Sequence, residues 1–441
     1  VSRPPAPAAA TPPPAPAERR RPGGLLRQRD FRMLWIGETT SAFGSTLTGV
    51  ALPLVAVTTL GAGTFTVALL TAATWLPWLV VGLPAGAWID RLPRRPVMLA
   101  CDLASLLLLL SVPVAAWIGM LTITHLLAVA LLAGVSTVFF QTAYHVYLPT
   151  VVDAADLPEA NAKLQGSESA AQVAGPGAAG LAAQALGAVS GLLADAATFL
   201  VSALCLMAVK AREKPVERAR RATSLRTEIG AGLRFVVRDP YLRVLTAFGA
   251  ASNLALTGYQ AILVVFLVRE VGVGPGVVGG LIAATGLGGV AGAALAPWIG
   301  RRLGTARALL TCLLCGSPAG LLIPLARPGA GLAFMVAGGL VVSAAVVAGN
   351  VIKGSFRQVY CPRPMLGRIT VSMQFLNYGT IPLGALLGGT LGTALGTRPT
   401  MWIMTGMAAV SALVLLAGPI RRHRDLPAAP PGHGHEPAGA R

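Results

Sequence analysis

Four carboxylates stand inside long apolar runs of this sequence: Glu38, Asp102, Glu168 and Asp195. A charge held in a bilayer interior costs at least ~2.5 kcal/mol on insertion scales, so a carboxyl kept there is a candidate for loading and releasing a proton during a cycle. Glu38 is the first choice, on an otherwise uncharged stretch with Thr39, Thr40 and Ser41, although it lies within about two turns of a helix end and could snorkel outward. Asp102 is similarly shallow, and its structural alternative is an ion pair with one of Arg91, Arg94 and Arg95. Asp195 could equally cap its helix, and Glu168, about two turns before Pro176, faces either a helix contact or a cavity. A second set could bind rather than react: Trp75, Trp78, Gln141, His145, Asn253, Tyr259, Gln260, Gln374, Asn377 and Tyr378. A drug-sized ligand wants such an apolar and aromatic wall with few directional polar groups. The tryptophans could also be interfacial or core aromatics, and His145 a hydrogen-bonded structural residue. Lys353, between Asn350 and Arg357, reads as a snorkelling anchor.

The elements that must position these residues are read from composition. Of 441 residues 54% are hydrophobic and 12% charged. Uninterrupted apolar stretches long enough to cross ~30 Å of hydrocarbon occur twelve times, near 31–60, 65–89, 96–118, 122–148, 160–187, 189–209, 243–268, 276–300, 306–326, 329–352, 366–396 and 398–419. Lipid offers the backbone no hydrogen-bond partner and the apolar pattern is continuous rather than alternating, so the spans are helices. The expected fold is all-α and integral to the membrane. Of the 35 Lys and Arg residues, 32 fall in the tails and alternate gaps, and only Arg269, Arg327 and Arg398 in the others. The positive-inside rule then places both termini in the cytoplasm. The formal charge of +18 reflects topology and contact with anionic lipids rather than a nucleic-acid partner.

The two halves repeat at an offset near 210: Arg29-Asp30-Phe31-Arg32 answers Arg238-Asp239-Pro240-Tyr241, Trp88-Ile89-Asp90-Arg91 answers Trp298-Ile299-Gly300-Arg301, and Tyr147-Leu148-Pro149 answers Tyr360-Cys361-Pro362. The organisation expected is a disordered cytoplasmic tail over 1–24, a six-helix bundle over 25–209, a basic cytoplasmic linker over 210–242, a second six-helix bundle over 243–420 and a second disordered tail over 421–441. Two parallel repeats are the plan of a secondary transporter whose site lies between the halves at the bilayer midplane. Small residues at four-residue spacing, which permit close helix approach, mark four spans: Gly82 and Gly86; Ala171, Gly175 and Ala179; Ala284, Gly288, Gly292 and Ala296; Gly384, Gly388, Gly392 and Gly396. They are expected to line a rocking seam, with static packing as the alternative. Pro176 removes a backbone hydrogen bond and should kink the fifth span, with Gly175 relieving the crowding. Asp156 and Glu159 are expected to cap that helix.

Gly86-x-x-x-Asp90-Arg91-x-x-Arg94-Arg95 resembles the signature loop of the major facilitator superfamily, with Pro93 where a glycine usually stands. Tyr147-Leu148-Pro149, Glu159-Ala160-Asn161, Gly175-Pro176, Asp195-Ala196 before Phe199, and Leu366-Gly367-Arg368 resemble the branch of the enterobactin exporter and bacterial macrolide or multidrug efflux proteins. The resemblance covers about residues 25–420. It implies twelve transmembrane helices in two six-helix pseudo-repeats, a seam lined by helices 2, 5, 8 and 11, and proton-coupled export of a bulky, largely apolar small molecule such as an antibiotic or siderophore. It also implies a barrier role for the Pro176 kink. The arginine that many drug–proton antiporters carry in helix 4 is absent, with Gln141 and His145 in that span instead. Asp90 is expected to act as a cytoplasmic latch on the amides that open the eleventh helix near Leu366 to Arg368, while Arg94 and Arg95 also grip lipid head groups.

Other classes are disfavoured. No Gly-x-x-x-x-Gly-Lys or His-Glu-x-x-His motif occurs, and no cytoplasmic segment exceeds about 35 residues, too short for a nucleotide-binding domain. Cys312 and Cys315 have no acidic or histidine partner, and His433 and His435 sit in a Pro- and Gly-rich tail, so no metal and no cofactor is expected. The reading is a monomeric, non-enzymatic exporter in the bacterial plasma membrane, working with protons, a small-molecule substrate and anionic lipids. A facilitator or importer, or a non-transporting sensor, is the alternative.

Overall fold

The computed structural model describes residues 24–89, 91–153, 156–211, 225–362 and 365–430. Asp90, most of both expected tails (1–23 and 431–441, with His433 and His435) and linker residues 212–224 lie outside the described residues. Fourteen α-helices follow in order: α1 Arg29–Leu54, α2 Thr64–Val80, α3 Gly82–Ile89, α4 Arg94–Trp117, α5 Ile123–Val151, α6 Leu157–Leu186, α7 Ser190–Ala208, α8 Leu225–Arg238, α9 Pro240–Val265, α10 Pro275–Leu303, α11 Thr305–Gly316, α12 Leu332–Tyr360, α13 Leu366–Leu395 and α14 Thr397–Ser411. Each expected span is occupied: α2 and α3 share the second, and the ninth and twelfth finish as 3-10 helix over Ser317–Leu325 and Ala412–Ala417. Nine segments are long and apolar enough to cross a bilayer by themselves among the described residues. The 30-residue α6 and α13 match them in length but are not among the nine. No strand occurs among the described residues. The chain is an all-helical, multi-pass membrane protein.

The internal repeat is visible in the helix boundaries. Arg29 and Leu54 of α1 recur 211 residues later as the ends of α9, and both helices run on into one π-helical stretch, Val55–Thr59 and Phe266–Glu270. The ends of α5 and α6 recur 209 residues later as those of α12 and α13, and the turns after α6 and α13 both use a glycine at positive φ, Gly187 and Gly396. Packing repeats too. In the first bundle α1 lies on α6 and α7, and α5 lies on α2 and α4. In the second, α9 lies on α13 and α14, and α12 lies on α10 and α11. Two of the repeated sequence motifs touch: Asp239 caps α9 by accepting from the backbone N–H of Tyr241 (3.0 Å) and Leu242 (2.8 Å), and its other oxygen accepts from the Tyr360 hydroxyl at 2.5 Å.

Several local expectations are corrected. Asp156 makes no side-chain cap on α6; its neighbour Glu159 instead accepts from the Leu25 N–H at 3.4 Å and pairs with Lys163 at 3.5 Å, tying the segment before α1 to the start of α6. The basic linker carries a helix, α8, packed on α13, where a Cβ on Gly232 would lie 2.7 Å from the Arg368 carbonyl oxygen. Residues 424–426, expected within a disordered tail, fold back over α11. The Arg424 carbonyl accepts from Ala306 N–H (3.1 Å) and Asp425 Oδ1 accepts from Thr305 N–H (2.8 Å), supplying the acceptors that orphan amides at a helix start require.

The small-residue stripes are corrected as well. A Cβ on Gly288 or Gly292 would meet the Leu340 or Ala344 carbonyl oxygen of α12 at 2.1 and 2.2 Å, and one on Gly384 or Gly388 the Leu254 or Gly258 carbonyl oxygen of α9 at 2.2 Å each. Gly175 faces Thr46 of α1. These contacts lie inside one bundle, so the stripes mainly serve static packing. Gly392, facing Thr64 of α2, is the member of the stripe that does meet the other bundle. The rest of the contact between bundles uses other glycines on the neighbouring helix faces. A Cβ on Gly180 would sit 2.7 Å from the Pro275 carbonyl oxygen, one on Gly279 2.3 Å from that of Pro176, and one on Gly389 2.5 Å from Ala68 Cβ.

Candidate functional site

The two bundles meet along α6 with α10 and α2 with α13. One face of the molecule, the terminal face, carries residues 24–28, α8 and residues 421–430; the far face carries the turns after the π-helical stretches and after α6 and α13. Close glycine contacts between bundles run from the far face inward, from Gly276 against Gln184 to Gly286 against Gln172 on α6, and from Gly392 against Thr64 to Gly379 against Leu79 on α2. Arg269 adds a bond across the same end, donating to the Ala62 carbonyl at 2.7 Å. Toward the terminal face Gly86, Gly166, Gly300 and Gly367 have nothing within 4 Å of an added Cβ. The seam is therefore closed at the far face and parted toward the terminal face.

Tyr378 of α13 closes the inner limit of that opening by meeting Trp75 and Trp78 of α2 edge-to-face at 5.8 and 5.9 Å. All three belong to the ligand-wall set expected from sequence, and the fold brings them together across the seam. On the first bundle Gln141 of α5 donates to Glu38 Oε1 of α1 at 3.4 Å, while Glu38 Oε2 and the Tyr144 hydroxyl are buried without a hydrogen-bond partner among the described residues. A small cavity lined by Glu38, Ser202, Met98 and Phe140, of about 10 Å³, approaches the size of one water molecule. Asp102, 1% exposed, accepts from the Ser202 hydroxyl at 2.8 Å and its Oδ1 has no hydrogen-bond partner among the described residues. Its bonded partner is thus a hydroxyl on α7. Glu168 and His145 are exposed, and Glu168 lies within electrostatic reach of Glu38, Tyr144, His145 and Tyr378.

Asp195 is different. Both its oxygens are occupied, Oδ2 by the Thr48 hydroxyl at 2.5 Å and Oδ1 by that of Thr198 at 3.0 Å, and Gly44 of α1 leaves room for the group. It clamps α1 to α7 from within the helix; it is not a cap, since α7 starts at Ser190 without a side-chain cap. Tyr259 is buried in the apolar core and Gln260 is exposed, and neither lines the main cavity.

That main cavity lies in the second bundle, about 260 Å³ between α9, α12 and α13. Asn253, Gln374, Asn377 and Tyr378 line it as expected, and so do Asn350, Lys353 and Arg357, which are not among the cavity residues expected from sequence. The Lys353 ammonium lies 5.2 Å from the centre of the Phe248 ring, inside the cavity, which corrects its reading as a snorkelling anchor. A signal exists in the spacing: 350, 353 and 357 stand at i, i+3, i+7 on one helix face.

In the signature loop, Arg95 caps α7, its Nε donating to the Leu206 carbonyl at 3.1 Å and its Nη2 to that of Met207 at 2.8 Å. A cation at a helix C-terminus is favoured by the dipole there. Arg91 is exposed and Gly86 is uncrowded. The start of α13, expected to receive Asp90, is the surface on which α8 lies. Helix α6 is continuous through Pro176, whose carbonyl abuts Gly279 across the seam.

Comparison with known proteins places the chain. The transmembrane secretion effector profile matches residues 23–439. The chain is similar to the multidrug efflux pump Tap of Mycolicibacterium fortuitum, 27% identical over 89% of this chain and 96% of that protein. It is 28% identical to the Mycobacterium tuberculosis pump of the same name over 84% of this chain and 89% of that one. Among solved structures it superimposes on a mutant form of the nucleoside transporter NupG (TM-score 0.73, 13% identity, 88% of this chain and 99% of that one). It also superimposes on a bacterial homologue of the iron transporter ferroportin in an inward-facing state (TM-score 0.71, 16% identity, 89% and 99%).

Proposed function

The chain belongs to the transmembrane secretion effector family of the major facilitator superfamily, and on that premise we propose that it is a proton-coupled exporter of bulky, largely apolar small molecules working by alternating access. The observation that carries this reading is the one-sided seam: glycine contacts close the bundles at the far face while the terminal face is parted. The surplus of Lys and Arg assigns the terminal face to the cytoplasm, so the conformation is the one that would load cargo from inside the cell. The relationship to pumps named for multidrug efflux supports the outward direction.

Glu38 is the proton carrier in this scheme, with Asp102 as its inner partner. Each has one oxygen held by a polar side chain and one bare oxygen to which a proton can be added. The two carboxylates are within electrostatic reach of each other, and Ser202 lines the small cavity beside Glu38 while donating to Asp102. A water there would bridge them. Trp75, Trp78 and Tyr378 form the barrier that cargo must pass, and rocking about it exchanges the far-face contacts for closure at the terminal face. The protein acts as a monomer in contact with anionic lipids.

The test is dye uptake into inverted vesicles containing the full chain under an imposed pH gradient. Accumulation of the fluorescent amphiphile dansylglycine that collapses with an uncoupler is expected. Accumulation that ignores the uncoupler would identify a facilitator and overturn proton coupling.

A further inference from the structure

The sequence between Asp239 and Asp425 contains a single carboxylate, Glu270. Arg398 holds it at the far face, Nε to Oε1 at 2.8 Å, with Thr397 and the Arg398 N–H on the other oxygen. Asp239, at the start of α9, is taken up by the Tyr241 and Leu242 amides and the Tyr360 hydroxyl, so among the described residues Lys353 and Arg357 line the second bundle's cavity with no carboxylate of that bundle paired to them. Among the described residues neither has a hydrogen bond or ion pair; Lys353 has the Phe248 ring, and the charge within its reach is that of Arg357, another cation. Two cations brought together in one partly buried cavity repel each other and lose part of their hydration, so the pair marks a site for an anionic partner.

We propose that this cavity binds the charged end of an organic anion, its oxyanion held between Lys353 and Arg357. The inference rests on the exporter reading only in taking the ligand to be cargo. Arg offers a planar fork and Lys a point charge, the pairing that suits a carboxylate, sulfonate or phosphate. Asn350, Asn253 and Gln374 supply neutral polar groups around it, and Phe248 an apolar floor. At about 260 Å³ the cavity falls below the 300–1,000 Å³ usual for a whole drug-sized molecule. It takes the anionic head while the apolar body extends into the opening beneath Tyr378, Trp75 and Trp78. The substrate class is then an amphipathic anion.

The experiment compares two probes with one body, dansylglycine and its uncharged amide, titrated by fluorescence against the full chain in phosphatidylcholine nanodiscs. The anion is expected to bind at least ~tenfold more tightly, the scale of a charge-assisted hydrogen bond. Lys353→Met and Arg357→Gln should each bring the ratio toward one while affinity for the amide, the control for folding, stays unchanged; Lys353→Arg should keep the preference. Equal affinities in the wild type, or a preference that survives Lys353→Met, would overturn the assignment. Loss of the preference when phosphatidylglycerol is added would give the cavity to a lipid head group and also overturn it. Tyr378 lies within electrostatic reach of both Glu168 and Arg357. Glu168→Gln should therefore raise anion affinity, whereas a fall would make the cations counter-ions of Glu168. Binding needs no gradient, so an anion preference without dye efflux would sink export and leave the pocket standing, and the reverse result would do the opposite.

Discussion

The two bundles share a backbone plan and carry opposite chemistry. The first holds Glu38, Asp102, Glu168 and Asp195 within its helices, and its basic residues lie at helix ends or in loops; the second holds Lys353 and Arg357 in a cavity, keeps Glu270 at the far face and uses Asp239 to cap α9. Helix boundaries that repeat after 209 to 211 residues therefore do not repeat the charge they carry. The lesson is that the fold supplies two equivalent scaffolds, and the proposed division between proton handling and ligand binding rests on the charge placed on each. Within the first bundle the carboxylates divide again, because Asp195 has both oxygens occupied by hydroxyls while Glu38 and Asp102 each keep one bare.

The sharpest way to break this division is Glu38→Gln. Removing a proton-transfer group typically costs 10²–10⁴-fold, so uncoupler-sensitive dye accumulation in inverted vesicles should fall by at least ~100-fold while dye binding persists. Retained accumulation would move the proton site elsewhere. Next in size is Gly279→Val on the seam, where even a Cβ would lie 2.3 Å from the Pro176 carbonyl oxygen. Overpacking of about 1–3 kcal/mol should part the far face, read as faster alkylation of a cysteine introduced at Thr64 from outside whole cells. Gly288→Val, facing α12 within one bundle, should lower thermal stability without that change in accessibility.

Tyr360→Phe removes the hydroxyl bonded to the capping Asp239. A hydrogen bond to a charged group contributes about 1.5–3 kcal/mol, so the melting temperature in detergent should drop with coupling preserved. Asp195→Asn is expected to act in the same way by a smaller amount, about 1 kcal/mol for one weakened bond, and a loss of uncoupler sensitivity would return Asp195 to the proton pathway. The smallest effect belongs to Arg269→Ala, which deletes one cross-seam bond of about 0.5–1.5 kcal/mol. It should shift far-face accessibility in the direction of Gly279→Val but less.

Much of the scaffold was legible because lipid simplifies the problem. Apolar run length located every helix of the two bundles, and the repeated Asp239 and Tyr360 motifs proved to be partners in space. The aromatic group of Trp75, Trp78 and Tyr378 was legible from residue type alone. Other readings failed for a common reason. Small residues at four-residue spacing show that a helix has a close neighbour without saying which one, and Gly288 and Gly384 turned to their own bundle while Gly180, Gly279 and Gly389 made the seam. Lys353 looked like an anchor because sequence distance from the helix end does not reveal whether a face meets lipid or a cavity. The cap at Asp156 failed because that residue has φ −97° and ψ −7° rather than the extended backbone a capping side chain needs, and Glu159 is engaged by the Leu25 N–H, 134 residues distant in sequence.

The sequence by itself determined the all-helical membrane architecture, the twofold repeat and the placement of four carboxylates within apolar runs of the first half, since each follows from one-dimensional patterns of hydropathy and charge. The tertiary structure alone decided which glycines form the contact between bundles, which carboxylates keep an oxygen without a partner among the described residues, and that Lys353 and Arg357 line one cavity. Those outcomes depend on which face of each helix is turned to which neighbour. That rotation is fixed by packing between segments far apart in the chain, and no local pattern encodes it.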